Sequence, residues 1–288
     1  MDFFEILKAI LFGIIEGVTE WLPVSSTGHL ILLNEFVKLD VSENFYSLFE
    51  VVIQLGAILA VIIIFWKKIW PFGKKNNTCP VKQTGLLSYA KKDVFVLWFH
   101  IIVSCIPAVI VGVLFDEVFE KYFYNYQTVA ITLIILGIAF IIVEIIKKGS
   151  KAKMNTAAEI TYTAALIIGF FQLLAAVFPG TSRSGATILG ALLIGVARSA
   201  AAEYTFFLAI PTMLGASLLK VVKCGLSFST SEYIILAVGM VTAFVVSMFV
   251  IKFLMQFIKK HDFKVFGCYR IVLGAAVLVC GFLGIIGA

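Results

Sequence analysis

Two short polar segments interrupt an otherwise apolar chain, and the first carries acidic, hydroxyl and imidazole groups. Glu16 and Glu20 are four residues apart, so on a helix their carboxylates share one face and repel unless a cation or a proton relieves them. Oxygen ligands at this spacing suit Mg²⁺ or Ca²⁺ shared with a phosphate. Ser26 and His29 are three residues apart after the break at Pro23. One helical turn would bring the hydroxyl to the imidazole, as activation of a serine by a base requires.

The alternative for this first segment is structural. Both carboxylates would line a wet vestibule, and the hydroxyls from Ser25 to Thr27 would cap the start of a helix. Ionisable groups inside apolar runs are costly, however, and they are usually functional. The sequence therefore favours a catalytic segment in which Glu16 and Glu20 bind a metal or handle protons.

The second segment, PGTSRSGAT from Pro179 onward, is typical of the start of a helix. Backbone N–H groups at a helix N-terminus bind phosphate, and a guanidinium such as that of Arg183 binds phosphoryl oxygens in pairs. The alternative is a loop arginine that reaches the membrane interface. The predicted substrate-binding residues of both segments are Arg183, Ser182, Ser184, Gly185, Thr187, Ser25 and Thr27. Together the segments offer the groups that phosphoryl transfer uses.

The composition indicates that lipid surrounds the elements that hold these segments. The 288 residues are 61% hydrophobic and 14% charged, whereas about a quarter of the residues in a soluble domain are charged. The net charge of +6 comes from lysines that fall between apolar runs. They therefore indicate topology and contacts with anionic lipid rather than nucleic-acid binding. The five scattered cysteines suggest neither a disulfide framework nor a zinc site, and we expect the acidic N-terminal segment to be retained.

Six stretches are long and apolar enough to cross a bilayer core, which needs about 20 helical residues. They are residues 45–66, 94–115, 128–146, 201–222, 233–253 and 267–287. Regions 6–37 and 161–197 are instead broken by the two polar segments, each leaving a second apolar piece of about 12 residues, too short to span. We predict an all-α integral membrane protein with six transmembrane helices and two re-entrant helical hairpins, whose unwound tips are buried in protein or line a wet cavity.

The connections between the spans alternate in charge, which predicts their sides. Lysines crowd the connection after Trp66, the linker at 147–153 and the segment before the last span, whereas 116–127 is acidic and 227–232 has no Lys or Arg. Basic connections stay cytoplasmic, so both termini face outward. We expect one membrane domain, residues 1–288, formed by inverted-topology halves 1–150 and 151–288. A weak echo at one offset supports this division: Gly13, Glu16, Pro23 and Ser26 recur as Gly169, Gln172, Pro179 and Ser182.

The two polar segments closely resemble the undecaprenyl-pyrophosphate phosphatase family that is associated with bacitracin resistance. An E-x-x-x-E motif followed by PVSSTGH stands between Glu16 and His29, and a P-G-x-S-R-S-G-A-T motif between Pro179 and Thr187. The resemblance extends over most of the chain, including FEVVIQLG from Phe49. It implies a hydrolase of the bacterial cytoplasmic membrane that converts undecaprenyl diphosphate to the monophosphate carrier for cell-wall synthesis, with a site open to the outer face.

By position, the resemblance carries over Glu16, Glu20, Ser26, His29 and Arg183 as functional residues. We interpret Ser26 as the nucleophile, His29 as its base, the glutamates as the metal or proton-handling pair and Arg183 as the diphosphate clamp. Attack by His29 itself, or by a water that His29 activates, stays open. Glu50 and Gln54 share a helical face and either line the cavity or bind across helices.

Two other classes of function fit parts of this pattern. A lipid or small-anion transporter would use the same inverted repeat, with Arg183 and the carboxylates as its binding site. A structural membrane subunit would leave the costly buried charges without a purpose. We expect a polyprenyl diphosphate and membrane lipids as partners, no nucleic acid, and a homodimer.

Overall fold

The computed structural model describes residues 3–73, 77, 79–82, 84 and 86–286. This part of the chain folds into α-helices, and the two longest connections between them contain 3₁₀ turns at Leu86–Tyr89 and Ala157–Glu159. The helices are α1 (Phe3–Thr19), α2 (Ser26–Phe36), α3 (Glu43–Val52), α4 (Gln54–Ile69), α5 (Lys92–Phe123), α6 (Tyr126–Ile146), α7 (Tyr162–Val177), α8 (Arg183–Leu193), α9 (Arg198–Cys224), α10 (Thr230–Phe257) and α11 (Lys264–Phe282).

Six helical segments of the described chain are long and apolar enough to cross a membrane. They are Glu43–Ile69, which joins α3 and α4, Lys92–Gly112, Tyr126–Ile146, Arg198–Cys224, Thr230–Phe257 and Lys264–Phe282. Each overlaps one of the six predicted spans. The predicted class, an all-helical multi-pass membrane protein, is therefore confirmed.

Two further pairs of helices, α1–α2 and α7–α8, are each interrupted by a short unwound segment. Residues 20–25 form the first break and residues 178–182 the second. The helix before each break has 17 or 16 residues, and the helix after it has 11, about 16 Å at 1.5 Å per residue. Pro23 and the pair Pro179–Gly180 lie in the breaks, where proline removes a helical hydrogen bond and Gly180 adopts a φ of 84°. The two interruptions thus lie where the sequence predicts them.

The helix after each break begins at a serine with left-handed backbone geometry. Ser25 (φ 74°) caps α2, and its side chain accepts a hydrogen bond from Gly28 N. Ser182 (φ 67°) caps α8 and accepts from Gly185 N. These are the two described non-glycine residues with positive φ. A cap hydrogen bond stabilises a helix end by about 1 kcal/mol and helps to offset the cost of this backbone geometry.

Small residues allow the helices to approach each other closely. α1 packs on α10, α7 on α5 and α6 on α11. A side chain at Gly13 would meet Gly239 O at 2.6 Å, and Gly137 and Gly267 would each meet the other's carbonyl oxygen at 2.7 Å. In lipid, where burial of apolar surface does not drive helix association, such close contacts are a main source of packing energy.

The connection between α5 and α6 differs from the prediction. We predicted a connection at 116–127, but α5 continues to Phe123, and only Tyr124 and Asn125 separate it from α6. The stretch has no glycine or proline to end a helix, and Asn125 caps α6 by accepting from Thr128 N. In the basic connection after Trp66, Lys74 and Lys75 lie outside the described residues.

Candidate active site

The two breaks meet at the carboxylate of Glu20, which lies just beyond the C-terminus of α1. Arg183 Nη2, at the start of α8, donates to Glu20 Oε1 at 3.0 Å, although the residues are 163 positions apart. Ser26 Oγ donates to Glu20 Oε2 at 2.6 Å. One buried carboxylate therefore contacts both a hydroxyl from the first break and a guanidinium from the second.

The second break is held against the first by buried hydroxyl groups. Ser184 Oγ donates to Glu20 O at 3.0 Å, so α8 is attached to the start of the first break. Thr187 Oγ1 and Thr205 Oγ1 lie 2.9 Å apart, which connects α8 to α9. Arg183 Nη1 donates to Thr205 O at 3.0 Å, whereas its buried Nε has no partner. The guanidinium is thus oriented by α9 and retains one unused donor.

Glu16 lies one helical turn before Glu20 and is fully buried. Neither of its carboxylate oxygens has a hydrogen-bond partner, and the charged side chains near it are those of Glu20, Arg183 and Glu50. Buried carboxylates normally have a partner. Among the described residues, no three His, Cys, Asp or Glu side chains converge as a metal site would require. Mg²⁺, however, is often held by one or two carboxylates together with substrate phosphates, and this pair fits that donor set.

His29 does not contact Ser26, so the predicted serine–histidine pair is not formed. Its Nδ1 lies 2.6 Å from Ser25 O, one helical turn earlier. Its Nε2 lies 2.7 Å from the hydroxyl of Tyr269 on α11, and the two rings are stacked. Ser26 is instead directed to Glu20. In this arrangement Glu20, rather than His29, is positioned to take a proton from Ser26.

Arg270 on α11 is a part of the site that the sequence analysis missed. Its side chain is fully buried. Nη1 donates to Pro23 O at 3.2 Å, and Nη2 donates to Gly180 O and Thr181 O at 2.9 Å each. One guanidinium therefore satisfies carbonyls of both breaks, which have no helical partners. The sequence did contain an indication of its importance, because a charged side chain inside an apolar span has a high free-energy cost and is usually functional.

The groups of the site line a cavity of about 200 Å³ between the breaks and α9. Its polar lining consists of Glu20, Ser26, Thr27, Gln54, Gln172, Ser182, Arg183 and Thr212. The predicted substrate-binding residues Ser25, Ser184, Gly185 and Thr187 are buried behind this lining, and their hydroxyl groups or backbone N–H already bind protein atoms. In this structure these four residues therefore stabilise the conformation of the two breaks.

A larger cavity of about 520 Å³ adjoins the first one. Both are lined by Thr27, Ala175, Ala176, Pro179 and Ala216, so the two cavities adjoin. We call the smaller one, which contains Glu20 and Arg183, the inner cavity and the larger one the outer cavity. Tyr46, Ser47 and Glu50 of α3 and Lys220 and Lys223 of α9 line the outer cavity. Of the two residues predicted to share a helical face, Gln54 thus lines the inner cavity and Glu50 the outer one.

Fold and site together define a multi-pass membrane protein whose interrupted helices join carboxylate, hydroxyl and guanidinium groups in one cavity. Residues 9–276 match the family described as bacitracin resistance protein BacA, and the chain belongs to this family. It is 60% identical to undecaprenyl-diphosphatase 1 of Clostridium acetobutylicum, over 97% of this chain and 98% of that protein. It is 57% identical to undecaprenyl-diphosphatase of Desulfitobacterium hafniense (97% of each chain) and 56% to that of Enterococcus faecalis (97% and 98%).

Proposed function

We propose that this chain is an undecaprenyl-diphosphate phosphatase, which hydrolyses undecaprenyl diphosphate to undecaprenyl phosphate and inorganic phosphate. The observation that carries the proposal is the contact of Glu20 with both Ser26 and Arg183 in one membrane-embedded cavity. Similar proteins covering nearly the whole chain bear the name of this activity. The transporter alternative gains no support from them.

In the first half of the reaction, Ser26 Oγ attacks the terminal phosphorus and Glu20 takes the serine proton. The bond from that phosphorus to the bridging oxygen breaks, and undecaprenyl phosphate leaves with the electron pair. Arg183 stabilises the charge on the equatorial phosphoryl oxygens, which is the main task of a protein in phosphoryl transfer. The 2.6 Å hydrogen bond from Ser26 to Glu20 supports this assignment of nucleophile and base.

In the second half, water attacks the phosphoserine and inorganic phosphate leaves. Glu20 has by then released its proton to the departing undecaprenyl phosphate, so it accepts a proton from the water and returns one to Ser26 Oγ. If Glu20 instead activates water directly, no phosphoserine forms and one displacement completes the reaction. In neither version does His29 contact the nucleophile. We infer that it positions α2 through its contacts with Ser25 O and Tyr269.

We further propose that Glu16 and Glu20 hold a divalent cation, Mg²⁺ or Ca²⁺, when the diphosphate is bound. Such an ion supplies charge neutralisation at the phosphoryl oxygens. The two unpartnered, buried oxygens of Glu16 support the proposal, because a cation would satisfy them. Chelation is therefore expected to lower turnover.

We propose an inverted repeat in which α1–α2 and α7–α8 are re-entrant hairpins that enter the membrane from opposite sides. The equivalent packing of α1 on α10 and of α7 on α5, and the serine caps of α2 and α8, support it. The two cap residues, Ser25 and Ser182, correspond to each other, so the first helical residues Ser26 and Arg183 correspond as well. This correspondence is shifted by one position from the sequence echo, which pairs Ser26 with Ser182. Both groups that act on the phosphate would thus occupy the first position of a re-entrant helix.

The proposed location is the bacterial cytoplasmic membrane, with the outer cavity open to the extracytoplasmic side. The N-terminal end of α9, at Arg198, lies next to the basic 147–153 linker. Lys220 and Lys223 are at the opposite, C-terminal end of the same helix. The positive-inside rule assigns that linker to the cytoplasm. An apolar groove of about 360 Å³ beside the second break, lined by Ile131, Ile135 and Phe178 among others, is suited to the lipid tail.

Phosphate release by detergent-purified protein tests the proposed activity. Undecaprenyl diphosphate should yield inorganic phosphate without any membrane gradient, and a chelator should suppress the reaction until Mg²⁺ or Ca²⁺ is restored. No release under these conditions, together with substrate movement across vesicles, would favour transport instead. We also expect a homodimer, which light scattering of the same sample measures.

A further inference from the structure

The outer cavity has features that the proposed hydrolysis does not use. It shares five lining residues with the inner cavity, so that every group entering or leaving by this route passes through it. One face of α9 connects the two: Ala216 lines both cavities, and Lys220 lies one helical turn farther out, about 6 Å along the axis. A cation therefore stands next to the mouth of the site.

The two cavities differ in their ionisable groups. The ionisable groups that line the inner cavity are Glu20 and Arg183, whose charges cancel, and Glu16 lies beside them. Among the described residues, Lys220, Lys223 and Glu50 line the outer cavity, so ammonium groups stand next to the inner one. Inorganic phosphate is an anion, so after release the nearby carboxylates repel it and the lysines attract it.

One donor of the outer cavity has no protein acceptor among the described residues. Lys220 forms no hydrogen bond or salt bridge with any residue that the structure describes, and its charged neighbour is Glu50. The buried hydroxyl of Tyr46 lies beside the same carboxylate. Ser47 and Thr27 add two more hydroxyl groups to the same lining.

From these observations we propose that the outer cavity is a second anion subsite, in which Lys220 binds the inorganic phosphate that leaves the inner cavity and the hydroxyl groups of Ser47 and Thr27 are further donors. The phosphate moves about one helical turn along α9, from the guanidinium of Arg183 toward the ammonium of Lys220. Its transfer empties the inner cavity for the next diphosphate. The subsite rests on the proposed function, because hydrolysis supplies its ligand.

Binding of inorganic phosphate itself tests the subsite without requiring turnover. Arg183→Ala removes the inner clamp, and ³¹P NMR titration of this detergent-purified variant should still detect phosphate binding. Adding Lys220→Gln should weaken that binding by about tenfold, as expected for loss of one charge-assisted hydrogen bond. Lys220→Arg should retain it. Lys252→Gln, the same change at an exposed position of α10, is the matched control and should have no effect.

The proposal is overturned if the Arg183→Ala protein binds no phosphate, or if Lys220→Gln and Lys252→Gln have equal effects. A kinetic measurement distinguishes leaving phosphate from arriving substrate. With Arg183 intact, Lys220→Gln should raise the inhibition constant of phosphate, while KM for undecaprenyl diphosphate stays within about twofold. A raised KM with an unchanged inhibition constant contradicts the proposal. Failure of the proposed function has a different signature, because the wild-type protein would then release no phosphate.

Discussion

The two breaks end in the same backbone conformation, but the helices that follow them differ in how deeply they are buried. Both end at a serine with positive φ whose side chain caps the next helix. After the first break, however, only Ser26, Gly28 and Leu30 of α2 are buried, whereas α8 is buried from Ser184 to Leu192. α8 is therefore a fixed platform that holds Arg183, and α2 carries Ser26 at the edge of the cavity. A repeated motif can thus supply a clamp in one half and a reactant in the other.

The helices before the breaks differ in the same way. Glu16 of α1 is buried with both carboxylate oxygens unpartnered. Its counterpart in the sequence echo, Gln172 of α7, donates to Ser104 O at 3.5 Å and accepts from Thr212 Oγ1 at the same distance. The neutral amide of Gln172 can donate and accept hydrogen bonds inside the protein, whereas a buried carboxylate without a partner needs a cation or a proton. We therefore propose that the chemistry is concentrated at the first break and the binding at the second.

The strongest test of this division replaces the hydroxyl of each break. Ser26→Ala should lower kcat by at least about three orders of magnitude, because it removes the nucleophile. Ser182→Ala should have a much smaller effect, since Ser182 Oγ caps α8. Rapid acid quenching with labelled substrate should trap a phosphoenzyme in the wild type and none in Ser26→Ala. Full activity of Ser26→Ala would instead support direct attack by water.

A second experiment removes the link that the two breaks share. Arg270→Met leaves the carbonyls of Pro23, Gly180 and Thr181 buried without their donor. We expect a loss of about 3 kcal/mol in the free energy of unfolding, as for removal of a buried charged donor. Thermal unfolding in detergent measures this loss. Lys68→Met, which removes the exposed cation of the Lys68–Glu203 ion pair, is a control and should cost less than about 1 kcal/mol. Equal stability of Arg270→Met and the wild type would contradict the link.

Exchanging the acid and the amide sharpens the comparison of the first helices. Glu16→Gln gives α1 the group that α7 carries, and we expect activity to fall by about tenfold together with weaker activation by Mg²⁺, because one of two carboxylate ligands is lost. Mg²⁺ titration of phosphate release measures both effects. The reciprocal change, Gln172→Glu, should not create a second metal requirement. An unchanged Mg²⁺ dependence in Glu16→Gln would exclude Glu16 as a ligand.

The smallest effect is expected at the serine caps. Ser25→Gly and Ser182→Gly should each change the free energy of unfolding by less than about 1 kcal/mol, because glycine replaces a cap at little cost and accepts positive φ. The alanine variants should be less stable than the glycine variants at both sites, since alanine loses the cap and keeps the strain. Thermal unfolding of all four variants provides the comparison. A glycine variant less stable than its alanine variant would show that the backbone geometry is not strained.

The features that could be predicted from the sequence are those that depend on residues close together in the chain. The six spans follow from apolar length, and the breaks follow from Pro23 and Pro179–Gly180, which a helix cannot accommodate. The residue types of the two polar segments suggested one shared phosphoryl-transfer site, and Glu20 and Arg183 are in contact. The expected end of α5 was wrong because an acidic stretch was interpreted as a connection although it contains no glycine or proline, and the helix continues to Phe123.

Contacts between distant helices could not be predicted in this way. The spacing of Ser26 and His29 suggested a pair, but Tyr269, 240 positions away, binds the imidazole. The spacing of residues along one helix predicts which side chains share a face. It does not predict whether a side chain on another helix lies within hydrogen-bond distance. Arg270 and its three carbonyl partners likewise depend on how α11 packs between the breaks. A systematic search for charges within spans would have found Arg270 but not its role.

The most direct test of the account is a double-mutant cycle on the contact that joins the two breaks. We expect Glu20→Gln and Arg183→Ala each to lower kcat/KM for undecaprenyl diphosphate by at least about two orders of magnitude. The double variant should lose little more than the larger single loss, because both groups act on one phosphoryl centre. Wild-type rates in the single variants, or losses that multiply fully in the double variant, would mean that Glu20 and Arg183 do not form one active site.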